Sequence, residues 1–319
     1  MGYLILPRNT TATPAPAATA LVFLFPGQSS VSPEALSRAR AAHPAAEHIA
    51  DRARAVLGAS RASDYVDRPG GCLHSNRDIQ LTVFLATQMY LAALHDEGID
   101  AAASVGLSLG EYSHIVHIGG LDFEEALLLV DERGRCYDNA PPGIMATVLA
   151  VDHGTVAAVV DEARAHGPIA ISNINAPTQH VIAGAEAAVL WAATRLEDDS
   201  AAHVTIIERH VPMHSPMMAP VASAFAPALA RAPWRAAAKP YLPNVTAHAI
   251  ANPAPHDFIS HLTRHVGEPV LWERSINTLV NADPSAHFIE VGPGGVLHNM
   301  MRRAWRGASV NVFATVPNE

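Results

Sequence analysis

Five consecutive apolar residues, Leu21-Val-Phe-Leu-Phe25, stop at Pro26-Gly27. A strand with one wet face alternates polar and apolar residues, so an unbroken run marks a strand covered on both sides, as in parallel sheets packed between helices. A second strand, Ala102 to Val105, runs into Gly106-Leu-Ser108-Leu-Gly110, and Glu111 to Ile118 then has helical character. Helical text also fills Pro33 to Leu57 and Ile79 to Leu94, the latter apolar all round and therefore central. With 49% hydrophobic and 16% charged residues over 319 positions, the chain can bury a large core, and disorder is excluded. The exception is the Thr-, Ala- and Pro-rich stretch Asn9 to Thr19, expected to be a flexible lead-in.

At Pro141-Pro142-Gly143 the rhythm changes. Met145 to Val151 has strand character, Val156 to Ala165 helix, Ile169 to Ser172 and His180 to Ala183 strand, Ala185 to Leu196 helix and Val204 to Glu208 strand. That βαββαβ order is a ferredoxin-like unit. The expected division is residues 20–142 as the first part of a large α/β domain, 143–209 as an inserted ferredoxin-like small domain, and 210–319 as the second part of the large domain. The return passes through Tyr241 to Val245, a helix near Val270 to Asn281 and a strand His287 to Val291. Asp122 and Glu125 have capping-box spacing ahead of a helix whose buried face carries Phe123, Leu127, Val130 and then Arg133.

Charge and cysteine content bound the setting. A net charge of -9 argues against binding nucleic acid through its phosphates. No apolar run is long enough to span a bilayer. Cys72 and Cys136 make no disulfide framework, and Met1 to Ile5 lacks a basic leader, so a cytoplasmic protein is expected.

Gly-Leu-Ser108-Leu-Gly between strand and helix has the form of a nucleophile elbow, whose glycines permit a strained turn that lifts the serine hydroxyl. Such a serine needs a base. Of 18 histidines, His214 stands out because Pro212 and Pro216 stiffen its loop. His114 and His117, three apart on a helix, are better explained by packing than by metal, since no third ligand accompanies them. Arg133 falls on an apolar face, where a charge without a partner is costly, and Asp131 and Glu132 are the nearest candidates for an ordinary ion pair.

Taken together, Phe25-Pro-Gly-Gln28, Gly106-Leu-Ser108-Leu-Gly-Glu111, Arg133-Gly134, Asn173-Ile-Asn175-Ala-Pro177, His214 and Glu290-Val-Gly-Pro-Gly294 resemble the malonyl-CoA:acyl carrier protein transacylases. That family includes the acyltransferases of polyketide and fatty acid synthases, and the resemblance spans Leu21 to about Arg303. It implies a hydrolase-like large domain with a ferredoxin-like insert, and a discrete, trans-acting acyltransferase. Ser108 would be the nucleophile, His214 the base, and the backbone amides of Gln28 and Leu109 the oxyanion hole. Arg133 would grip the malonyl carboxylate, with Gln80, Leu107 and Met213 lining the acyl pocket. The main-chain carbonyl of His265, four before Pro269, would orient the base in place of an acid.

Departures from the family pattern are Leu107, where histidine is usual, and Ser29-Ser30-Val31 after Gln28. Leu109 fits malonyl-type members, and the bulk of Met213 either excludes α-branched groups or shapes a pocket for an unusual one. The resemblance implies no bound cofactor, an acyl-CoA or acyl carrier protein thioester as substrate, and a monomer. Arg302, Arg303 and Arg306, with Trp305 as anchor, form either a docking patch for an acidic carrier protein or a solvated helix face. Two rival functions remain at this level: transfer of a non-malonyl acyl or aminoacyl group between carrier proteins, and a serine hydrolase or editing thioesterase.

Overall fold

A computed structural model describes residues 20–66, 73–305 and 311–314. The expected lead-in at 9–19, Cys72 and Arg306 lie outside the described residues. The chain opens with β1 (Leu21–Phe25), α1 (Ala35–Ala42), α2 (Ala45–Tyr65), α3 (Asn76–Asp96), β2 (Ala103–Gly106), α4 (Gly110–Ile118) and α5 (Phe123–Tyr137). The helix expected over 33–57 is two helices parted at His43-Pro44, because proline can begin a helix but not continue one.

Next come β3 (Ile144–Leu149), α6 (His153–Ala163), β4 (Ile169–Ala176), β5 (Gln179–Gly184), α7 (Glu186–Asp199) and β6 (His203–Glu208). The chain finishes with α8 (Ala219–Arg231), α9 (Pro255–His265), α10 (Trp272–Ala282), β7 (His287–Glu290), α11 (Val296–Ala304) and β8 (Asn311–Ala314).

These strands form two four-stranded sheets. The first, ordered β2-β1-β7-β8, is parallel throughout. Side chains of β1 alternate between two cores: Phe23 and Phe25 join the cluster under α3, α4 and α5, while Val22 and Leu24 meet Trp272, Ile276 and Leu297 of α10 and α11. That explains the uninterrupted apolar run, and each fully buried Phe or Leu contributes roughly 2 kcal/mol of transfer free energy.

The second sheet, ordered β4-β5-β3-β6, is antiparallel and has the ferredoxin-like arrangement. On β3, Ile144, Ala146 and Val148 pack on α6 and α7, whereas Met145 and Thr147 face a cleft. Main-chain bonds join this sheet to the segment before α10: Ile174 N donates to Val270 O (2.9 Å), and Val270 N to Ser172 O (2.9 Å).

The expected capping box at Asp122 is not formed. Asp122 is the N-cap of α5, but its carboxylate makes no cap and is instead paired with Arg235, a charge-assisted partner stronger than a neutral amide. Among the described residues no helix is long and apolar enough to cross a membrane.

Candidate active site

Ser108 has φ 52°, the left-handed region that non-glycine residues rarely occupy. The turn is too tight for side chains at its flanks. A Cβ at Gly106 would lie 2.0 Å from the carbonyl of Gly110, and one at Gly110 would lie 2.1 Å from Phe25 O. Asn244 braces the turn from both sides, accepting from Ser108 N (2.8 Å) and donating to Gly106 O (2.7 Å). Sequence reasoning missed this asparagine, which lies 136 residues from the serine it holds.

His214 Nε2 lies 2.7 Å from Ser108 Oγ, across 106 residues of chain. Its loop is fixed by Ser215 Oγ donating to Pro212 O (2.7 Å), and His214 itself has φ 58°. Its Nδ1 lies 2.7 Å from His265 O. A carbonyl can only accept, so the proton sits on Nδ1 and leaves Nε2 as a lone pair facing the serine hydroxyl. His265 is the last residue of α9, so this oxygen is an otherwise unpaired carbonyl at the negative end of a helix. Burial holds the His214 pKa well below the ordinary imidazole value, and the neighbouring His265 and Arg133 push it the same way.

Ser108 and His214 border a cavity of about 410 Å³, with Gln28, Leu107, Met145 and Met213 also in its wall. Gln28 opens a single 3-10 turn, Gln28–Ser30, held by Ser30 Oγ donating to Gly27 O (2.8 Å). The unusual serine at position 30 thus supplies the loop's own brace. Leu109 is the N-cap of α4, where main-chain amides are not consumed by the helix. Leu107 packs over Gly27: a Cβ on that glycine would lie 2.9 Å from Leu107 Cδ2.

Arg133 is 2% exposed and is paired with neither of its acidic neighbours. Asp131 is gripped by Arg77 (2.7 Å) and Arg61, and Glu132 by Arg135 (2.5 Å). The Arg133 Nη2 donates to Tyr137 OH (2.9 Å), and the guanidinium lies 4.2 Å from the Tyr137 ring centroid. Its Nη1 is buried without a hydrogen-bond partner. Gln80 is also fully buried, with both amide atoms unpartnered. Neither residue is among those bordering the open cavity.

Arg302 and Arg303 are exposed at the end of α11. Trp305 does not stand free beside them: its indole donates to Asn277 Oδ1 (3.1 Å) and packs against the core. His114 and His117 both bond Ser104 Oγ, at 2.7 and 2.8 Å. His95, Asp100 and His117 bring ligand atoms within 4.8 Å of one another, but the Lys239 ammonium already sits there, 2.7 Å from Asp100 and 3.1 Å from His117.

The acyl transferase domain family matches residues 22–318. Relatives include the malonyl CoA-acyl carrier protein transacylases of Bacillus subtilis (strain 168), 30% identical over 90% of both chains, and of Escherichia coli (strain K12), 31% identical over 89% of this chain and 93% of the other. The crystal structure of an acyl-carrier-protein S-malonyltransferase from Burkholderia pseudomallei 1710b superposes with a TM-score of 0.84 at 28% identity, over 93% of this chain and 97% of that one. Extending over nearly the whole chain, these matches establish that the protein belongs to the acyl transferase domain family and is an acyltransferase.

Proposed function

We propose that this enzyme moves a malonyl group from CoA, through an ester on Ser108, to the phosphopantetheine thiol of an acyl carrier protein in fatty acid or polyketide assembly. The observation that carries the reading is the 2.7 Å approach of His214 Nε2 to a serine hydroxyl held on a left-handed turn at the cavity wall. His214 takes the Ser108 proton as the oxygen attacks the thioester carbon. The amides of Gln28 and Leu109 receive the developing oxyanion. Collapse breaks the carbon–sulfur bond, and the departing CoA sulfur takes the proton back from His214. The carrier thiol repeats these steps in reverse order, giving its proton to His214 and displacing Ser108.

Serine, base and amides suffice for this sequence, so the reaction needs no resident cofactor. The Arg133 Nη1, buried and unpartnered, favours an acidic cargo over a neutral acyl or aminoacyl group, because a carboxylate satisfies a guanidinium with two charge-assisted bonds. Gln80 adds a buried amide whose nitrogen and oxygen both lack partners, and Met213, in the cavity wall, sets the width of the pocket. In this reading residues 143–209 are a small domain inserted between large-domain parts 20–142 and 210–319, and the exposed Arg302 and Arg303 attract an acidic carrier. In this reading the enzyme acts in the cytoplasm as a monomer.

Intact-mass spectrometry after incubation with malonyl-CoA should show one malonyl adduct, mapped to Ser108 and discharged by a holo carrier protein. An adduct that water removes as fast as the carrier does would make the protein a hydrolase.

A further inference from the structure

His265 contributes more than its carbonyl. Its ring stacks on His214, with centroids 4.7 Å apart and planes 20° apart. Its Nδ1 lies 2.9 Å from Glu111 Oε2, off the line of a straight hydrogen bond. The Glu111 side chain is fully buried, and its other oxygen accepts from Tyr241 OH. Glu111 belongs to the first turn of α4, where the positive end of the helix favours a carboxylate, and Ser108 lies two residues before that helix.

One helix therefore meets both halves of the site. At its N-terminus it presents the nucleophile's turn, and through Glu111 it grips the residue whose carbonyl holds the base. A buried carboxylate is costly unless paired, so Glu111 favours a His265 ring that stays within reach of it. The carbonyl lies at the end of α9, where helices otherwise fray.

We infer that Glu111 and His265 form a positioning pair that sets the register of His214 against Ser108 by tying the start of α4 to the end of α9. The inference rests on the roles proposed for Ser108 and His214. Neither member of the pair needs to touch the acyl group. Its effect is confined to the alignment of the proton transfer, where an error of about 1 Å costs on the order of 100-fold in rate.

The test is rapid-quench acylation by malonyl-CoA on folded Glu111→Gln, His265→Leu and His265→Gln, with Ser108→Ala as control. Glu111→Gln and His265→Leu should each lower the saturating acylation rate by roughly 10- to 100-fold, with KM within about twofold of the parent. The double variant should be no slower than the slower single, because both changes break the same link. His265→Gln, whose amide offers Glu111 a donor in place of the ring nitrogen, should recover most of the rate.

Parental rates in either single variant, losses that multiply, or losses confined to KM would overturn the pairing. Should His265→Leu not fold, Glu111→Gln carries the same comparison alone. An acylated Ser108→Ala protein would instead overturn the underlying site assignment, and parental rates in the pair variants beside an inert Ser108→Ala protein would remove the pair alone.

Discussion

Ser108 with His214 and Ser104 with His117 have the same functional groups in reach of one another, yet their surroundings differ. The second set even has the acid that the first lacks: Ser104 Oγ to His117 Nδ1 is 2.8 Å, and His117 Nε2 to Asp100 Oδ1 is 2.9 Å. Ser104 lies within β2, buried, and its hydroxyl is shared between two imidazoles. Lys239 covers the outer side of His117. Ser108 instead lies just past the same strand, on a turn forced into the left-handed region, beside a cavity and a helix start. Matching groups are therefore not enough for catalysis. The oxygen must also be exposed to a substrate and sit next to unused amides.

The sharpest way to break this contrast is to delete each hydroxyl. Ser108→Ala should abolish acyl-enzyme formation and lower transfer by roughly 10⁴-fold or more, while Ser104→Ala should keep transfer within about threefold of the parent. Acylation surviving in Ser108→Ala would reverse the roles assigned to the two serines.

The cation beside each pair gives the next test. Arg133 has an unsatisfied buried nitrogen, whereas the Lys239 ammonium bonds both oxygens of Asp100. Arg133→Ala should reduce malonyl transfer by roughly 100-fold relative to acetyl transfer, the loss expected for charge-assisted bonds to a carboxylate. Lys239→Ala should leave that ratio unchanged. Steady-state kinetics with both donors would decide it, and equal losses for both donors in Arg133→Ala would remove the carboxylate clamp.

Acid separates the two sets by what it changes. Because the His214 pKa is lowered, its basic form persists to lower pH, so the acid limb of the acylation rate should fall below the ordinary imidazole value near 6.5. Burial also lowers His114 to about 3, and His117 and His180 to about 4. These groups bind protons in the unfolded chain before they do so in the native one. Stability should therefore fall as pH drops below about 6.5 and continue falling until the native values are reached. Glu290, raised to about 7 by burial, opposes this trend as a single group against His214, His114, His117 and His180. Thermal melts at several pH values would show the decline, and a melting temperature that rises on acidification would contradict it.

The smallest expected effect is the thermodynamic cost of Ser104→Ala. Removing the hydroxyl that serves two buried rings should destabilise the fold by roughly 1–3 kcal/mol in a denaturant titration.

How much of this was legible follows the range of the interactions. The run Leu21 to Phe25 disclosed a sheet covered on both faces, because burial acts residue by residue along a strand. The glycines at 106 and 110 disclosed the elbow, since its geometry is local. The His265 carbonyl could be placed only through family resemblance. Asn244 gave no local signal, because its partners lie well over a hundred residues away in sequence. Nor did the sequence reveal which acids hold which arginines: Arg61 and Arg77 come from α2 and α3 to occupy Asp131, leaving Arg133 to two tyrosines. Asp122 misled for the same reason, its spacing being local and its real partner, Arg235, distant.

The ladder joining Val270 to Ser172 and Ile174 consists of peptide groups alone. The join between the small sheet and the segment leading into α10 is thus one that side-chain replacement does not directly loosen. Exchanging Met145 or Met213 in the cavity wall should recarve that space for a larger or smaller guest while leaving the join intact, so the cavity can be reshaped without parting the two sheets.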